Sequence, residues 1–502
     1  MKTRFRDKAL IVPVILLFFY LVFRLIDTSA MINNFPFDYA NDLSAHLAKL
    51  FFLNNYGFYD IIPYWYNGFN YTLFQSYPPG YYYAALPLLK IIKDVQLAGY
   101  ISLLLIYIFG FIAVYFLLKD LSRIRRIALY LFFFANPISI GYLLRLGKLP
   151  EMTGWLLNLI IFGILIYYKD RPLDKKFLFF IPSYAASLLS NVSSFIVMSP
   201  LILGFSLIKT KKEKVYIFLS ILISLIITSF WWIPFYKSSL TKSLGTEAIY
   251  TQWLIENAPN QFFTYTNDKL TAVLSSLLLI VLLYLYWKGN NSKKDLLFFL
   301  PIAIEAFLIF ITPLTKAIVF IPVYNRPPVD TFNIGFLLIS SYLFLRTEFP
   351  LKIKKVLEIS LTLLIIISII VSFSITPMYQ KVGNIERETF ELLPLVKGNF
   401  LVLENNTNTY NSSYSRAYYS YAPIYYNLTT VSGWIDQTLT VEDEKRISRL
   451  TRDYRSFTSK EVLAMARDLN VKSIIMYNED CDVMEESSVI IKKTQNTCLF
   501  YI

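Results

Sequence analysis

Four polar side chains follow one another at helical spacing near the start of a mostly apolar chain. They are Asp38, Asp42, His46 and Lys49. A second row at similar spacing holds Leu43, Leu47 and Leu50. Such rows lie on opposite faces of a helix, so the pattern predicts an amphipathic helix at a membrane surface, with its carboxylates turned towards a cavity. Carboxylates and water could hold a hard divalent cation there.

Each of these residues also has a simpler explanation. Asp38 fits equally well as the N-cap of the helix, and the polar face could merely meet water. His46 is the only histidine of the chain, so a zinc site built from several histidines is excluded. A lone histidine most often makes a hydrogen bond. Asp42 lies in the middle of the predicted helix, and we favour it as the functional acid.

A second group of charges lies further along the chain, in the sequence RLGKLPE that ends at Glu151. An acid after a proline is typical of the first turn of a helix, where the helix dipole favours negative charge. Arg145 and Lys148 are harder to explain, because cations are unusual on the outer side of a membrane. Two cations beside an acid suit a phosphate group. Arg326 is a third cation that we predict on that side.

The composition indicates what holds these groups in place. Hydrophobic residues make up 55% of the chain and charged residues 17%, whereas soluble domains have about 25% charged residues. The apolar residues come in blocks of about twenty, the length of helix that spans a bilayer. The net charge is +13, but the cations form short clusters between apolar blocks. We therefore predict a polytopic membrane protein with no nucleic-acid partner.

The basic clusters also predict the orientation through the positive-inside rule. Four cations before Ala9 hold the N-terminus in the cytoplasm, and Ala9–Ile26 is predicted to be a retained anchor. Counting onwards gives about eleven transmembrane helices, with the N-terminus inside and the C-terminus outside. Tyr81–Ile92 is too short to span. We predict that it lies at the outer surface, within a first outer loop at 28–96.

The last quarter of the chain has a different composition. Its apolar runs have the length of strands and are Phe400–Leu403, Ser473–Tyr477, Val489–Lys492 and Cys498–Ile502. A charged helical stretch, Val441–Leu469, lies between them. This order predicts a small extracytoplasmic α/β domain at 377–502, after a transmembrane domain at 1–376. Cys481 and Cys498 both fall in the outer domain, which is consistent with a disulfide.

Taken together, four short motifs resemble the GT-C superfamily of membrane glycosyltransferases. That superfamily includes oligosaccharyltransferases, protein O-mannosyltransferases and aminoarabinose transferases. The motifs are Asp42-xxx-His46, Trp65-Tyr66-x-Gly68, Tyr77-Pro78-Pro79-Gly80 and Gly147-xx-Pro150-Glu151. Their order and common side are similar to an archaeal-type prokaryotic branch of the superfamily, in which the first outer loop forms partly embedded helices. The WWDYG motif of oligosaccharyltransferases is absent, so en bloc oligosaccharide transfer to asparagine is not expected.

The resemblance implies an inverting glycosyltransferase of the cell membrane that works at its outer face. It would move a sugar from a polyprenyl phosphate or diphosphate to a lipid, glycan or protein acceptor. Asp42 and Glu151 would be the catalytic acids, with Asp42 as general base. The departing phosphate would be stabilised by the three outer cations or by Mg²⁺ or Mn²⁺, held by the two acids. His46 and Tyr77 are expected to help bind the substrate.

Two other classes of function remain open. A transporter is expected to show internal repeats and charged or broken helices at mid-membrane. The chain shows no clear repeat, and Glu305 is the main candidate acid inside a span. The second class is a non-catalytic family member that takes part in envelope assembly.

Overall fold

The computed structural model describes most of the chain, and most of what it describes is helical. The described residues are 10–40, 42–58, 61–66, 72–241, 284, 293–308, 329–347, 351–374, 378–403, 417–433, 440–451, 453–477, 480–485 and 489–502. Arg326, Gly68 and the side chain of Glu305 lie outside them.

Helices make up most of the described part of the first 376 residues. They are Ile11–Asn33, Leu43–Tyr56, Leu73–Ser76, Gly80–Ile92, Val95–Leu117, Arg123–Phe134, Pro137–Ser139, Leu149–Lys169, Phe180–Ser190, Val192–Leu207, Lys211–Ile227, Ser229–Thr241, Lys293–Leu308, Val329–Arg346 and Leu351–Ser374. A π-helix at Ile140–Arg145 and a 3-10 helix at Lys175–Phe179 complete this part of the described chain.

Three of these helices are long and apolar enough to cross a membrane. They are Ile11–Asn33, Val95–Leu117 and Leu149–Lys169. A fourth candidate is the pair Lys211–Ile227 and Ser229–Lys237, which bends by 70°. Shorter apolar stretches of helix are Val192–Leu207, Leu337–Arg346 and Glu358–Ile370. The count of about eleven spans therefore stays a prediction.

The helix ends that are predicted to face the cytoplasm come together in the structure. Lys169 forms a buried ion pair with Asp295, and Lys294 pairs with Asp170 at 2.9 Å. Nearby, Lys209 Nζ donates hydrogen bonds of 2.6 Å to the backbone carbonyls of Tyr168, at the end of the same helix, and Arg171, in the loop that follows it. The predicted sidedness is therefore consistent with the packing, although the orientation in a membrane stays a prediction.

The helix of the first loop begins later than predicted, which changes the roles of both acids. Strand β1 (Asp38–Tyr39) pairs antiparallel with strand β2 (Gln380–Lys381). The extended backbone of β1 excludes Asp38 from the helix, so both readings of Asp38, as N-cap and as part of a polar helical face, are wrong. Asp42 occupies the position directly before the helix Leu43–Tyr56, and not its middle.

The helix Leu43–Tyr56 is not amphipathic. Every residue from Leu43 to Leu50 is buried, and His46 and Lys49 are only 3% and 1% exposed. The predicted polar face at the membrane surface is therefore wrong. The reason is tertiary packing, because the next two long helices of the chain and one helix of the C-terminal domain contact this helix.

The apolar piece at 81–92 forms the helix Gly80–Ile92, which has 13 residues. At 1.5 Å per residue its length is about 20 Å, less than the roughly 30 Å of a bilayer core. Its first residue lies against the end of the helix Phe180–Ser190, where a Cβ on Gly80 would be 2.8 Å from the carbonyl of Leu189. This length agrees with the prediction that the segment does not span, and its position at the outer surface stays a prediction.

The C-terminal domain contains the predicted small sheet. Its strands are β3 (Phe400–Leu403), β4 (Ser473–Tyr477), β5 (Val489–Lys493) and β6 (Thr497–Tyr501), in the order β3-β4-β6-β5. Strands β3 and β4 are parallel, and β6 is antiparallel to both β4 and β5. The four predicted strands are confirmed, and their observed bounds lie within one residue of the predicted ones. Strands β3, β4 and β6 are almost entirely buried, whereas most of β5 is exposed.

Helices cover this sheet, and a disulfide lies beside it. The helices are Asn384–Leu392, Tyr418–Tyr426, Val441–Thr451, Ser459–Asp468 and Asp480–Glu485, with 3-10 helices at Leu393–Leu395 and Tyr454–Ser456. The charged stretch predicted as one helical region therefore contains two α-helices. Cys481 follows β4 and Cys498 lies in β6, and their sulfurs are joined at 2.06 Å.

The C-terminal domain packs directly on the first loop. The backbone N–H of Thr430 donates to the carbonyl of Tyr64 at 2.8 Å. Trp65 is fully buried, and its indole Nε1 donates to the carbonyl of Tyr419 at 2.8 Å. The Trp-Tyr motif of the first loop therefore joins the two parts of the chain.

Candidate functional site

The two acidic segments that the sequence singles out meet in the structure. The backbone N–H of Asp42 donates to the carbonyl of Leu146 at 2.8 Å. Gly147 makes this approach possible: its φ is +69°, and a Cβ there would lie 2.7 Å from Leu43 Cβ. Asp42 itself is half-buried. The structure thus brings the first catalytic candidate to the RLGKLPE segment.

Gly147→Ala is expected to separate the two segments. The positive φ is unfavourable for any residue with a side chain, and the new Cβ has no room beside Leu43. We expect a loss of about 1–3 kcal/mol of stability, seen as a lower thermal unfolding temperature. Gly110→Ala is the matched control, because its Cβ would meet only ring edges, those of Phe134 at 3.1 Å and Tyr130 at 3.5 Å. Equal unfolding temperatures for the two variants would contradict the prediction.

The cations of this segment differ in their surroundings. Lys148 is 6% exposed, and its Nζ lies 4.0 Å from the centre of the Tyr142 ring. Lys148 stands directly before the helix Leu149–Lys169, and Glu151 lies in the first turn of that helix. Glu151 is 4% exposed, and the positive end of the helix dipole favours its carboxylate.

Of the two cations in the RLGKLPE segment, Arg145 is the more exposed and the better placed to meet a ligand. It ends the π-helix Ile140–Arg145 and is half-buried. Within the described part of the chain it has no ion pair and no hydrogen bond to an acid. Burial lowers the pKa of its guanidinium, but a guanidinium keeps its proton in proteins. A half-buried cation without a protein anion favours an anionic ligand.

His46 belongs to a group of polar side chains inside the protein, which we call the polar layer. Its members are His46, Lys49, Tyr77 and Tyr82. His46 Nδ1 lies 2.8 Å from the hydroxyl of Tyr82. Burial raises the pKa of Tyr82, and the nearby Tyr77 hydroxyl and Glu151 carboxylate are among the groups that raise it further. Tyr82 therefore stays protonated and can donate to His46. The effect of Glu151 on the pKa of Tyr82 means that the Glu151 carboxylate lies near the His46–Tyr82 contact.

Lys49 and Tyr77 form the next part of this layer. Lys49 Nζ lies 3.6 Å from the centre of the Tyr77 ring, a cation–π contact. The carbonyl of Tyr77 accepts a hydrogen bond of 3.2 Å from the indole of Trp231. Both the ring and the backbone of Tyr77, the first residue of the YPPG motif, are therefore held by contacts with other helices. Because His46 and Lys49 are buried, their contacts help to hold in place the helix that follows Asp42.

Some residues near the site were not found from the sequence. The hydroxyl of Tyr379 lies 2.6 Å from Thr28 Oγ1 and donates to the carbonyl of Leu144 at 3.4 Å. Tyr379 thereby connects the first helix, the segment before Arg145 and the C-terminal domain. The chain has 38 tyrosines, so no sequence signal distinguishes this one. Trp231 was missed for the same reason, since aromatic residues are common in every membrane protein.

Arg24 could have been found from the sequence. It lies within the first apolar helix, is 1% exposed, and forms an ion pair of 2.9 Å with Asp27. A buried charge in an apolar span is a signal of function or of a specific structural link. Here the pair lies one helical turn from Thr28 and Tyr379, so it belongs to the same connection.

The described residues contain no group of three or more acidic, histidine or cysteine side chains that could hold a metal ion. A metal held by protein ligands alone is therefore not supported in this part of the chain. Mg²⁺ is usually bound by one or two carboxylates together with water and substrate phosphates. Asp42 and Glu151 fit such a shared site in number and in chemical type.

No protein-family model and no curated protein sequence matches the chain. Among solved structures, it is similar to the crystal structure of an oligosaccharyltransferase from Archaeoglobus fulgidus, tethered by a disulfide bond to an acceptor peptide with the NVT sequon. The two chains share 11% sequence identity and superpose with a TM-score of 0.49, over 92% of this chain and 69% of the other. A likeness of this size is compatible with many activities.

Proposed function

We propose that this protein is a membrane glycosyltransferase of the GT-C type. It transfers a sugar from a polyprenyl phosphate or diphosphate to a hydroxyl of a lipid, glycan or protein acceptor. The observation that carries the proposal is the backbone hydrogen bond between Asp42 and Leu146, which brings the half-buried Asp42 to the residue that directly follows Arg145. A proton acceptor and an anion-binding cation are the two groups that this reaction requires.

In the proposed reaction the acceptor oxygen attacks the anomeric carbon as the bond from that carbon to the donor phosphate breaks. Asp42 takes the hydroxyl proton, a role that needs a carboxylate within hydrogen-bond reach. The phosphate leaves with additional negative charge, and the Arg145 guanidinium can bind two of its oxygens. A single displacement of this kind inverts the anomeric configuration.

Other residues around the site assist Asp42 and Arg145. Lys148 adds positive potential while its ammonium rests on the Tyr142 ring. The helix that follows Asp42 is held in place by two contacts, from His46 to Tyr82 and from Lys49 to Tyr77. Asp42 and Glu151 would hold a Mg²⁺ or Mn²⁺ ion if the donor brings one, and that ion would supply further charge for the leaving phosphate.

Arg145→Gln is expected to reduce kcat/KM for the donor by about 10–100-fold, because a charged hydrogen bond to the phosphate is lost. Arg145→Lys should recover part of this loss, since it restores the charge without the planar fork. Arg123→Gln is the control, because it removes an exposed arginine from the end that is predicted to be cytoplasmic. The measurement is initial rate against donor concentration. A loss as large in Arg123→Gln would contradict the assignment.

A transfer assay tests the proposed function itself. The purified full chain in lipid is supplied with a panel of polyprenyl-phosphate and polyprenyl-diphosphate sugars, together with lipid, glycan and peptide acceptors. Mass spectrometry identifies any glycosylated product. Transfer from one of these donors supports the proposal. A folded protein that transfers none of them would favour the non-catalytic role in envelope assembly.

A further inference from the structure

A polar cleft lies where the first loop meets the C-terminal domain. Its volume is about 480 Å³, within the range of about 300–1,000 Å³ that is usual for ligand sites. The polar residues that line it are Asn54, Asn55, Lys90, Lys93, Asp94 and Tyr425. They come from three helices of the membrane domain and one helix of the C-terminal domain. The cleft is thus formed only when the two domains are packed together.

The cleft has a positive charge that its own acid does not balance. Lys90 and Lys93 are exposed, and neither forms an ion pair with the residues that the structure describes. The single lining acid, Asp94, caps the next helix by accepting from the N–H of Leu97 at 2.8 Å. Lys93 is held in the left-handed backbone region, with φ at +63°. Its N–H donates to Leu89 at 2.7 Å, which fixes the position of the turn.

The location of these lysines needs a physical explanation. The predicted topology puts them on the outer side, where cations close to a span are unusual. Apolar side chains are exposed on the same two helix ends: Ile91 is 78% exposed and Leu97 is 47% exposed. A soluble anion would use the cations alone. A ligand with an anionic head and an apolar tail would use both features.

We propose that this cleft binds the phosphate-bearing headgroup of an anionic glycerophospholipid in the outer leaflet. Lys90 and Lys93 contact the phosphate, the amides of Asn54 and Asn55 contact the headgroup hydroxyls, and the acyl chains lie along Ile91. The site is separate from the one at Asp42, because Asn54 lies eleven residues beyond the start of the intervening helix. That distance is about 16 Å along the helix. The proposal does not depend on the glycosyltransferase activity.

Lipid binding by the detergent-purified full chain tests this proposal. Native mass spectrometry measures bound phosphatidylglycerol, and the same titration is made with phosphatidylcholine and with free glycerol phosphate. Lys90→Gln/Lys93→Gln is expected to weaken phosphatidylglycerol binding about tenfold or more. The matched control is Lys175→Gln/Lys176→Gln, which also removes two exposed lysines beside exposed apolar residues, Leu178 at 48% and Phe179 at 71%. That pair does not line the cleft.

A second variant tests the cleft without changing its charge. Asn54→Trp places a large ring in the cleft at an exposed position, and it should also weaken binding about tenfold, since it blocks the volume. Loss in both cleft variants with an unchanged control supports the proposal. Equal loss in the control, no loss in the cleft variants, or equal binding of phosphatidylcholine would overturn it. Competition by free glycerol phosphate at the same concentration would show a phosphate site and would also overturn the lipid assignment.

Discussion

Asp42→Asn is expected to lower sugar transfer by about 10²–10⁴-fold, the usual contribution of a general base. The backbone hydrogen bonds that hold this residue should be kept, because the substitution changes only the side chain. The N–H of Asp42 donates to Leu146, and the carbonyl of Asp42 accepts from the N–H of His46. The side chain makes no capping hydrogen bond to the helix that follows. Asparagine has the same shape but cannot accept the proton.

The measurement is kcat/KM for the acceptor, with the thermal unfolding temperature as the check on folding. Asp38→Asn is the matched control, since it makes the same change four residues earlier. The Asp38 carboxylate accepts a hydrogen bond of 3.0 Å from Asn34, and we expect transfer within about twofold of wild type. Unchanged transfer in Asp42→Asn would rule out the general base. An equal loss in both variants would show that the acids act on the structure of the loop.

The meeting of the two acidic segments could be predicted from the sequence for a physical reason. Basic clusters report the side of each loop, so Asp42 and the RLGKLPE segment could be assigned to the same side without any knowledge of packing. The strands of the C-terminal domain were predictable for a similar reason. The apolar runs of β3, β4 and β6 are short and continuous, which is typical of strands buried on both faces.

The role of Asp38 could not be predicted in the same way. Helical spacing continues through it, but its backbone pairs with Lys381, in a segment that follows the last predicted span. Local periodicity carries no information about such a distant partner. The burial of His46 and Lys49 has a similar origin. Polar residues at helical spacing usually face water, and here each finds a tyrosine inside the protein.

The Trp65 motif shows a different limit of sequence reasoning. Trp65 and Tyr66 contributed to the resemblance as members of a motif, and their neighbour Gly68 lies outside the described residues. The structure gives Trp65 a mechanical role instead. Its ring meets Phe52 edge-to-face, with the ring centres 5.0 Å apart. On its other side a Cβ on Gly433 would lie 3.0 Å from Trp65 Cβ. The side chain is therefore enclosed between the two domains.

Trp65→Ala is expected to lower stability by about 3–5 kcal/mol, the usual cost of removing a buried tryptophan side chain. The loss should appear first at the contact between the domains, because the indole fills the space between Phe52 and Gly433. Limited proteolysis should therefore release the C-terminal domain earlier than in wild type, and the thermal unfolding temperature should fall.

Trp65→Phe separates the packing of the ring from its hydrogen bond. Phenylalanine keeps an aromatic ring against Phe52 but leaves the carbonyl of Tyr419 without its indole donor, so we expect a loss of about 1–3 kcal/mol. Sugar transfer should fall in the same order as stability, because Phe52 belongs to the helix that Asp42 precedes. A Trp65→Ala protein that resists proteolysis like wild type would show that the domains are held together elsewhere. In that case the hydrogen bond from Thr430 to Tyr64 and the pairing of β1 with β2 would have to hold the domain on the first loop.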